Sequence, residues 1–266
     1  MTTSIINLAK SVWNRRELLG ILVLRNLKIR YKGTVLGFFW SLLSPVIMIT
    51  IYAVFAKILR FNATHPHYLP FLIIGLLGWH YLLLCVNDSL FVILGNSSLI
   101  KKTAFPRIIL PISMVIANLL NFLLTLMVLL VYLLVIRIHL SFVYLLPVII
   151  IIQTALCMGL AFLISAFNVF FRDTEHILSL VTLAWFFLTP IFYPFTMQTT
   201  IIGEKNAFWA FLNPMTGIVG GYRTIFMSEP LNYLTGIVIS TLVSFVILFG
   251  GLYFFQKVEW RFGDEL

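Results

Sequence analysis

RIILPISMVIANLLNFLLTLMVLLVYLLVI, residues 107–136, is the stretch that decides the fold. Between Ile108 and Ile136 it holds no Asp, Glu, Lys or Arg, and a helical run of about 20 apolar residues is what a hydrocarbon core about 30 Å thick selects. Moving outward in both directions, further apolar runs give six predicted spans, at 33–57, 69–95, 107–136, 142–167, 176–194 and 232–255. The composition of the 266-residue chain agrees, with 61% hydrophobic and 10% charged residues and a mean hydropathy of +1.05. Soluble domains carry roughly 25% charged residues. A water-soluble fold is excluded, and the expected class is an all-α membrane protein with six transmembrane helices.

The net charge of +9 is unevenly placed. Lys10, Arg15, Arg16, Arg25, Lys28, Arg30 and Lys32 all precede the first long apolar run, a clustering that suits an anionic membrane surface. Nucleic acid is excluded as a partner because no polar domain exists to present a groove. Of the 18 Lys and Arg, 13 fall on the side that holds the N-terminus and 5 on the other. The positive-inside rule then places both termini in the cytoplasm. Cys85 and Cys157 lie far apart inside apolar runs, which suits small core residues and not a disulfide framework or a thiolate metal site. The apolar stretch Leu18–Leu24 lacks a small-residue cleavage site, so the N-terminus is expected to be retained.

Residues 1–32 form the first predicted unit and 33–266 the six-span domain. In the first, Val12, Leu19, Leu22 and Leu27 alternate with basic residues at roughly helical intervals, the pattern of an amphipathic helix lying in the interface plane. Before the last span, residues 195–231 include Phe208, Trp209, Phe211 and Leu212, followed by Asn213 and Pro214. This pair reads as an N-cap with proline at the first helical position. A helix from Pro214 to Phe226 is about 20 Å long, too short to cross. The region reads either as a short re-entrant or outer-face helical hairpin, or as an amphipathic loop packed on the bundle.

Catalytic patterns are absent: there is no phosphate-binding GxxxxGK[ST], HExxH or GxSxG sequence. Asp88 is the exception among the acids, because an ionisable group inside a span is costly in lipid. It shares the second span with His80 and Asn87, which fall on one helix face. A proton relay needs charged partners on other spans, and those are nearly free of charge, which leaves a role in packing or at a subunit interface. Ser97, Ser98, Lys101 and Lys102 form a short polar segment suited to docking a partner, and in the turn Phe171, Arg172, Asp173, Thr174, either Asp173 or Thr174 is placed to cap the following helix. Phe39, Trp40, Trp185 and Phe186 fall inside spans and not at their ends. Such rings either pack against lipid and core or line a passage with flat faces for sugars.

Arg30, Tyr31, Lys32, Val35, Leu36, Gly37, Phe38, Phe39, Trp40 and Pro45 resemble the motif that opens the first span of ABC-type polysaccharide export permeases, the class that includes O-antigen and teichoic-acid exporters. Phe171, Arg172 and Asp173 resemble that family's FRD turn, and Asn213, Pro214, Tyr222 and Arg223 its NP and YR element. The resemblance implies a transmembrane half-transporter that pairs with a second copy of itself in the bacterial cytoplasmic membrane. It implies that a separate cytoplasmic ATPase uses the ATP and magnesium, so that this chain binds no cofactor, no metal and is not an enzyme. Ser97, Ser98, Lys101 and Lys102 then belong to the coupling helix, and Arg172 and Asp173 to a cytoplasmic gate turn. Arg30 and Lys32 attract the headgroup of a glycan on an undecaprenyl diphosphate carrier, and Phe39, Trp40, Trp185 and Phe186 line its path. Trp209, Asn213, Pro214, Tyr222 and Arg223 close the outer face. The competing readings are a related exporter of a drug or small lipid, and a secondary transporter or channel.

Overall fold

A computed structural model describes residues 10–33, 36–58, 67–103, 105–138, 140, 142–171, 173–203, 207–227 and 234–265. Every regular element among them is helical: α1 (Arg16–Tyr31), α2 (Trp40–Ile58), α3 (Tyr68–Phe91), α4 (Ser97–Lys102), α5 (Ile109–Val135), α6 (Leu146–Phe170), α7 (Thr174–Leu188), α8 (Phe195–Ile202), α9 (Ala207–Phe211), α10 (Pro214–Met227), α11 (Leu234–Val258) and α12 (Phe262–Glu265), with short 3-10 turns between some of them.

Among the described residues, four helical stretches are long and apolar enough to cross a membrane, Tyr68–Phe91, Ile109–Val135, Val143–Phe170 and Thr235–Arg261. The expected span at 33–57 corresponds to α2, 19 residues that begin at Trp40, and the one at 176–194 to a shorter apolar helix, Thr174–Leu188; local chemistry sets both boundaries. Gly33 and Gly37 sit at φ +80° and +51°, a conformation that glycine adopts without a Cβ penalty, so the chain turns there and α2 begins only at Trp40. At the other site Pro190 follows directly on Thr189, the C-cap of α7, and the residue before a proline is driven out of the α region. α7 therefore stops after 15 residues, about 22 Å.

The core lies where α3, α5, α6, α10 and α11 meet. Its closest crossing joins α6 and α11. A Cβ on Gly159 would stand 2.6 Å from the backbone carbonyl of Ile247, and one on Gly251 would strike the Gly159 carbonyl. Lipid offers no hydrophobic drive for helix association, so close backbone approach at small residues supplies van der Waals contact instead. Cys85 and Cys157 are both fully buried.

Of the forms the sequence allows for the segment before the last span, α10 departs from the one that lies on the outer face. Every residue from Pro214 to Phe226 is buried, with α3, α6 and α11 around it, so this helix is inserted into the bundle and does not lie on its surface. Small residues permit the insertion: a Cβ on Gly217 would collide with Ser240 and Gly236 of α11. The expected cap is present, with the Met215 N–H donating to Asn213 Oδ1 at 3.0 Å.

α1 packs along α5 with Leu22 and Val23 buried, while Trp13, Ile21, Leu24 and Ile29 are exposed. Polar bonds fix it: Arg25 Nη2 donates to Asn96 Oδ1 at 2.6 Å, and Asn26 Nδ2 to Ser113 Oγ at 3.3 Å. The expected cap on α7 fails. Asp173 makes no side-chain cap bond, and the Thr174 hydroxyl donates backwards to the Phe171 carbonyl at 2.5 Å. Both side chains thus leave the first N–H groups of the helix uncapped. Arg172 lies outside the described residues.

Candidate functional site

The site is built on a polar residue in α5 that the sequence reading did not single out. Asn118, buried one turn beyond Met114, accepts from Arg30 Nη2 through its Oδ1 at 2.7 Å and donates through its Nδ2 to Asp88 Oδ2 at 2.9 Å. Arg30 closes the triangle with an ion pair to Asp88 at 2.6 Å. Three helices are joined in this way, because Arg30 ends α1, Asp88 lies in the last turn of α3 and Asn118 in the third turn of α5. The cost of Asp88 in a span is met by a cation on α1. The pair is not sealed, since the two side chains keep 26% and 38% of their surface open.

That open surface faces two cavities of about 690 Å³ and 590 Å³, which share Arg30, Asp88 and Asn121 and so flank the ion pair. The larger runs between α2, α3 and α5. It is lined by Trp40, Tyr52, His80, Tyr81 and Phe122 beside Ser44, Asn121 and Thr125. From Asp88 to Leu77 along α3 it extends about 16 Å, roughly half of a hydrocarbon core. The smaller one adds Asn26, Asn87 and Asn118. Rings offer flat apolar faces, and amides both donate and accept. Such a groove can hold a polyhydroxylated chain loosely, with one cation at its mouth. Among the described residues, no group of three or more His, Cys, Asp or Glu comes together to hold a metal.

The structure separates the candidate residues. Arg30 and Trp40 line the groove, whereas Lys32 is exposed at the C-cap of α1 and Phe39 points outward, 69% exposed. Trp185 and Phe186 meet a different group of rings, both packing on Trp79. In addition, Trp185 Nε1 donates to Asn213 Oδ1 at 2.7 Å. Asn213 Nδ2 donates in turn to Thr189 Oγ1 at 2.9 Å, so one side chain caps α10 and fastens it to the end of α7. Trp209 is exposed and Pro214 buried.

Tyr222 and Arg223 are both buried, each with its own network. The Tyr222 hydroxyl donates to Gln153 Oε1 at 2.7 Å, and Gln153 Nε2 donates to the Gly78 carbonyl at 2.6 Å. Arg223 donates to the Pro190 and Ile191 carbonyls, each at 2.7 Å, with its guanidinium 3.3 Å from the centre of the Phe71 ring. It thereby supplies donors to the segment where α7 stops. In the polar segment Ser97–Lys102, a six-residue helix, Lys101 and Lys102 occupy the last turn. Lys101, Lys102 and Ser98 are exposed and Ser97 is half-buried, and Ile100 is the anchor buried in the bundle. Asp173 is exposed.

The helical bundle and its membrane-crossing lengths define a multi-pass membrane protein, and residues 17–227 match the ABC-2 type transporter family. The chain belongs to that family. Its similarity to individual members runs nearly end to end. It is 35% identical over 253 residues to an O-antigen export system permease protein RfbA of Klebsiella pneumoniae, covering 94% of this chain and 95% of that one. A second RfbA of the same organism is also 35% identical, over 260 residues and with the same shares covered. The RfbA of Myxococcus xanthus is 33% identical over 269 residues, covering 98% of this chain and all of the relative.

Proposed function

We propose that this chain is the transmembrane permease subunit of an ATP-driven exporter that carries a lipid-linked polysaccharide, of the O-antigen type on an undecaprenyl diphosphate, across the bacterial inner membrane. The observation that carries the reading is the end-to-end similarity to three chains named as O-antigen export permeases. A groove of rings and amides with a single arginine at its mouth supports it, because weak, repeated contacts let a polar polymer slide.

In this reading six segments cross, α2 and α7 with their flanking turns completing the set, α1 lies at the cytoplasmic interface, and both termini are cytoplasmic. Two copies associate. Each docks a cytoplasmic ATPase through Ser97, Ser98, Lys101 and Lys102; the ATP and magnesium belong to that partner, and this chain performs no hydrolysis. Arg172 and Asp173 form a gate turn on the same side. Arg30, with Lys32 nearby, receives the diphosphate. Trp40 begins the sugar path, and Trp185, Asn213, Pro214, Tyr222 and Arg223 hold its outer end closed until the glycan arrives, with Trp209 at the outer surface. Phe39 and Phe186 contribute by packing, Phe39 against lipid or the second copy.

Deleting the gene tests the reading. The expected outcome is loss of surface polysaccharide with intracellular accumulation of lipid-linked glycan, restored by the intact gene. A normal coat without accumulation overturns it.

A further inference from the structure

We propose that Asp88 is a specificity-determining residue: it screens Arg30 from singly charged phosphodiester lipids and yields it to a diphosphate diester. This rests on the reading above that the cargo carries a diphosphate. Arg30 is the only Lys or Arg lining either described cavity, and α1, on which it sits, also carries Arg16, Arg25 and Lys28. A basic helix at a membrane surface gathers anionic headgroups. An unopposed guanidinium in an open groove is therefore a trap for the abundant phospholipids around it, and a trapped phospholipid blocks the path.

Asp88 removes that trap. Its carboxylate, 2.6 Å from Arg30, supplies one negative charge that is tethered to the same molecule and hence present at high effective concentration. A phosphodiester brings one charge too, so it gains little by displacing a carboxylate already in place. A diphosphate diester brings two charges and several oxygens that match the forked guanidinium. Asn118 makes the exchange reversible. It bonds both partners, so when Arg30 turns to a diphosphate, the Asn118 amide N–H still holds the displaced carboxylate. Space for the two ends of such a ligand exists, since cavities lie on either side of the pair. His80 and Asn121 line the larger cavity, and Asn87 the smaller, beside the pair.

The test uses the permease with its ATPase partner in nanodiscs of neutral phospholipid, with and without phosphatidylglycerol. The probe is a polyprenyl diphosphate bearing one N-acetylglucosamine, and bound probe is read by native mass spectrometry. Wild type is expected to hold the probe equally well in both lipids. Asp88→Asn is expected to bind it at least as well in neutral lipid but to lose affinity by about tenfold, equivalent to about 1.4 kcal/mol, when phosphatidylglycerol is present. Asp88→Glu, which keeps the charge, is expected to behave as wild type, and Arg30→Gln to lose the probe in both lipids. If Asp88→Asn does not assemble, Asp88→Ser is judged by the same criterion. A neutral Asp88 variant that ignores phosphatidylglycerol, while wild type binds the probe and Arg30→Gln does not, overturns this inference and leaves the export reading standing. Wild type that fails to bind the probe overturns both.

Discussion

Replacing Arg223 with methionine removes a buried guanidinium, and the bundle is expected to weaken. Two carbonyls, of Pro190 and Ile191, lose donors held at 2.7 Å, and each orphaned buried carbonyl costs about 1–3 kcal/mol. The stack on Phe71, at 3.3 Å from the ring centre, is worth about 2 kcal/mol where water is absent. Against this gross loss of about 6 kcal/mol stands the relief of a buried cation's desolvation, several kcal/mol. The net expectation is a destabilisation of about 3 kcal/mol. Arg223→Lys should fall in the same range, because an ammonium keeps the charge but cannot fork onto two carbonyls. Tyr68→Phe gives a graded control, since it removes the hydroxyl that donates to the neighbouring Phe192 carbonyl at 3.1 Å, for about 1 kcal/mol. The assay is equilibrium unfolding of the purified protein in mixed detergent, together with thiol labelling of a cysteine placed at Ile191, which should become more reactive in the Arg223 variants. Both Arg223 variants within about 0.5 kcal/mol of wild type, with labelling unchanged, would refute the view that this guanidinium holds the end of α7.

Gly159→Leu should cost at least about 3 kcal/mol, because its Cβ already meets the Ile247 carbonyl at 2.6 Å. Gly250→Ala, with nothing within 4 Å, should be neutral or stabilising by up to about 1 kcal/mol; thermal melting in detergent separates the two. Tyr222→Phe and Gln153→Leu, combined in a double-mutant cycle, should show a coupling of about 0.6–1.7 kcal/mol, the range for hydrogen bonds between membrane helices, and additivity would show that the 2.7 Å contact contributes nothing. Asn213→Ala should lose about 1 kcal/mol of capping and shift Trp185 fluorescence to the blue as its ring N–H loses its acceptor. Replacing Lys101 and Lys102 with glutamate should abolish co-purification of the ATPase while leaving melting unchanged, and retained co-purification removes the coupling assignment.

The helical class and the start of α10 were legible because each has a local cause. Apolar length alone marks a crossing helix, and Asn213 followed by proline marks a helix start whatever surrounds it. The start of α2 and the end of α7 were less legible, since apolar runs continue straight through Gly37 and Pro190. Hydropathy does not register backbone conformation. Asp88 stood out by its cost, but its partner lies 58 residues away in sequence, and nothing in the spacing of either segment encodes that pairing. Arg223 shows the opposite difficulty. In a segment too short to cross, a charge reads as solvated, and only the tertiary structure reveals that it is enclosed. Lys32 and Phe39 share a motif with Arg30 and Trp40, yet the turn at Gly33 and Gly37 sends the four side chains to different surroundings.

The crossing at Gly159 and Gly251 also limits how the molecule can move. Where two backbones touch with no side chain between them, neither helix can slide or roll past the other without collision, so α6 and α11 travel as one stiff spar. α7, with a single buried residue, is held mainly through its far end. α7 is thus the span the rest of the bundle grips least, fastened to α10 through Asn213.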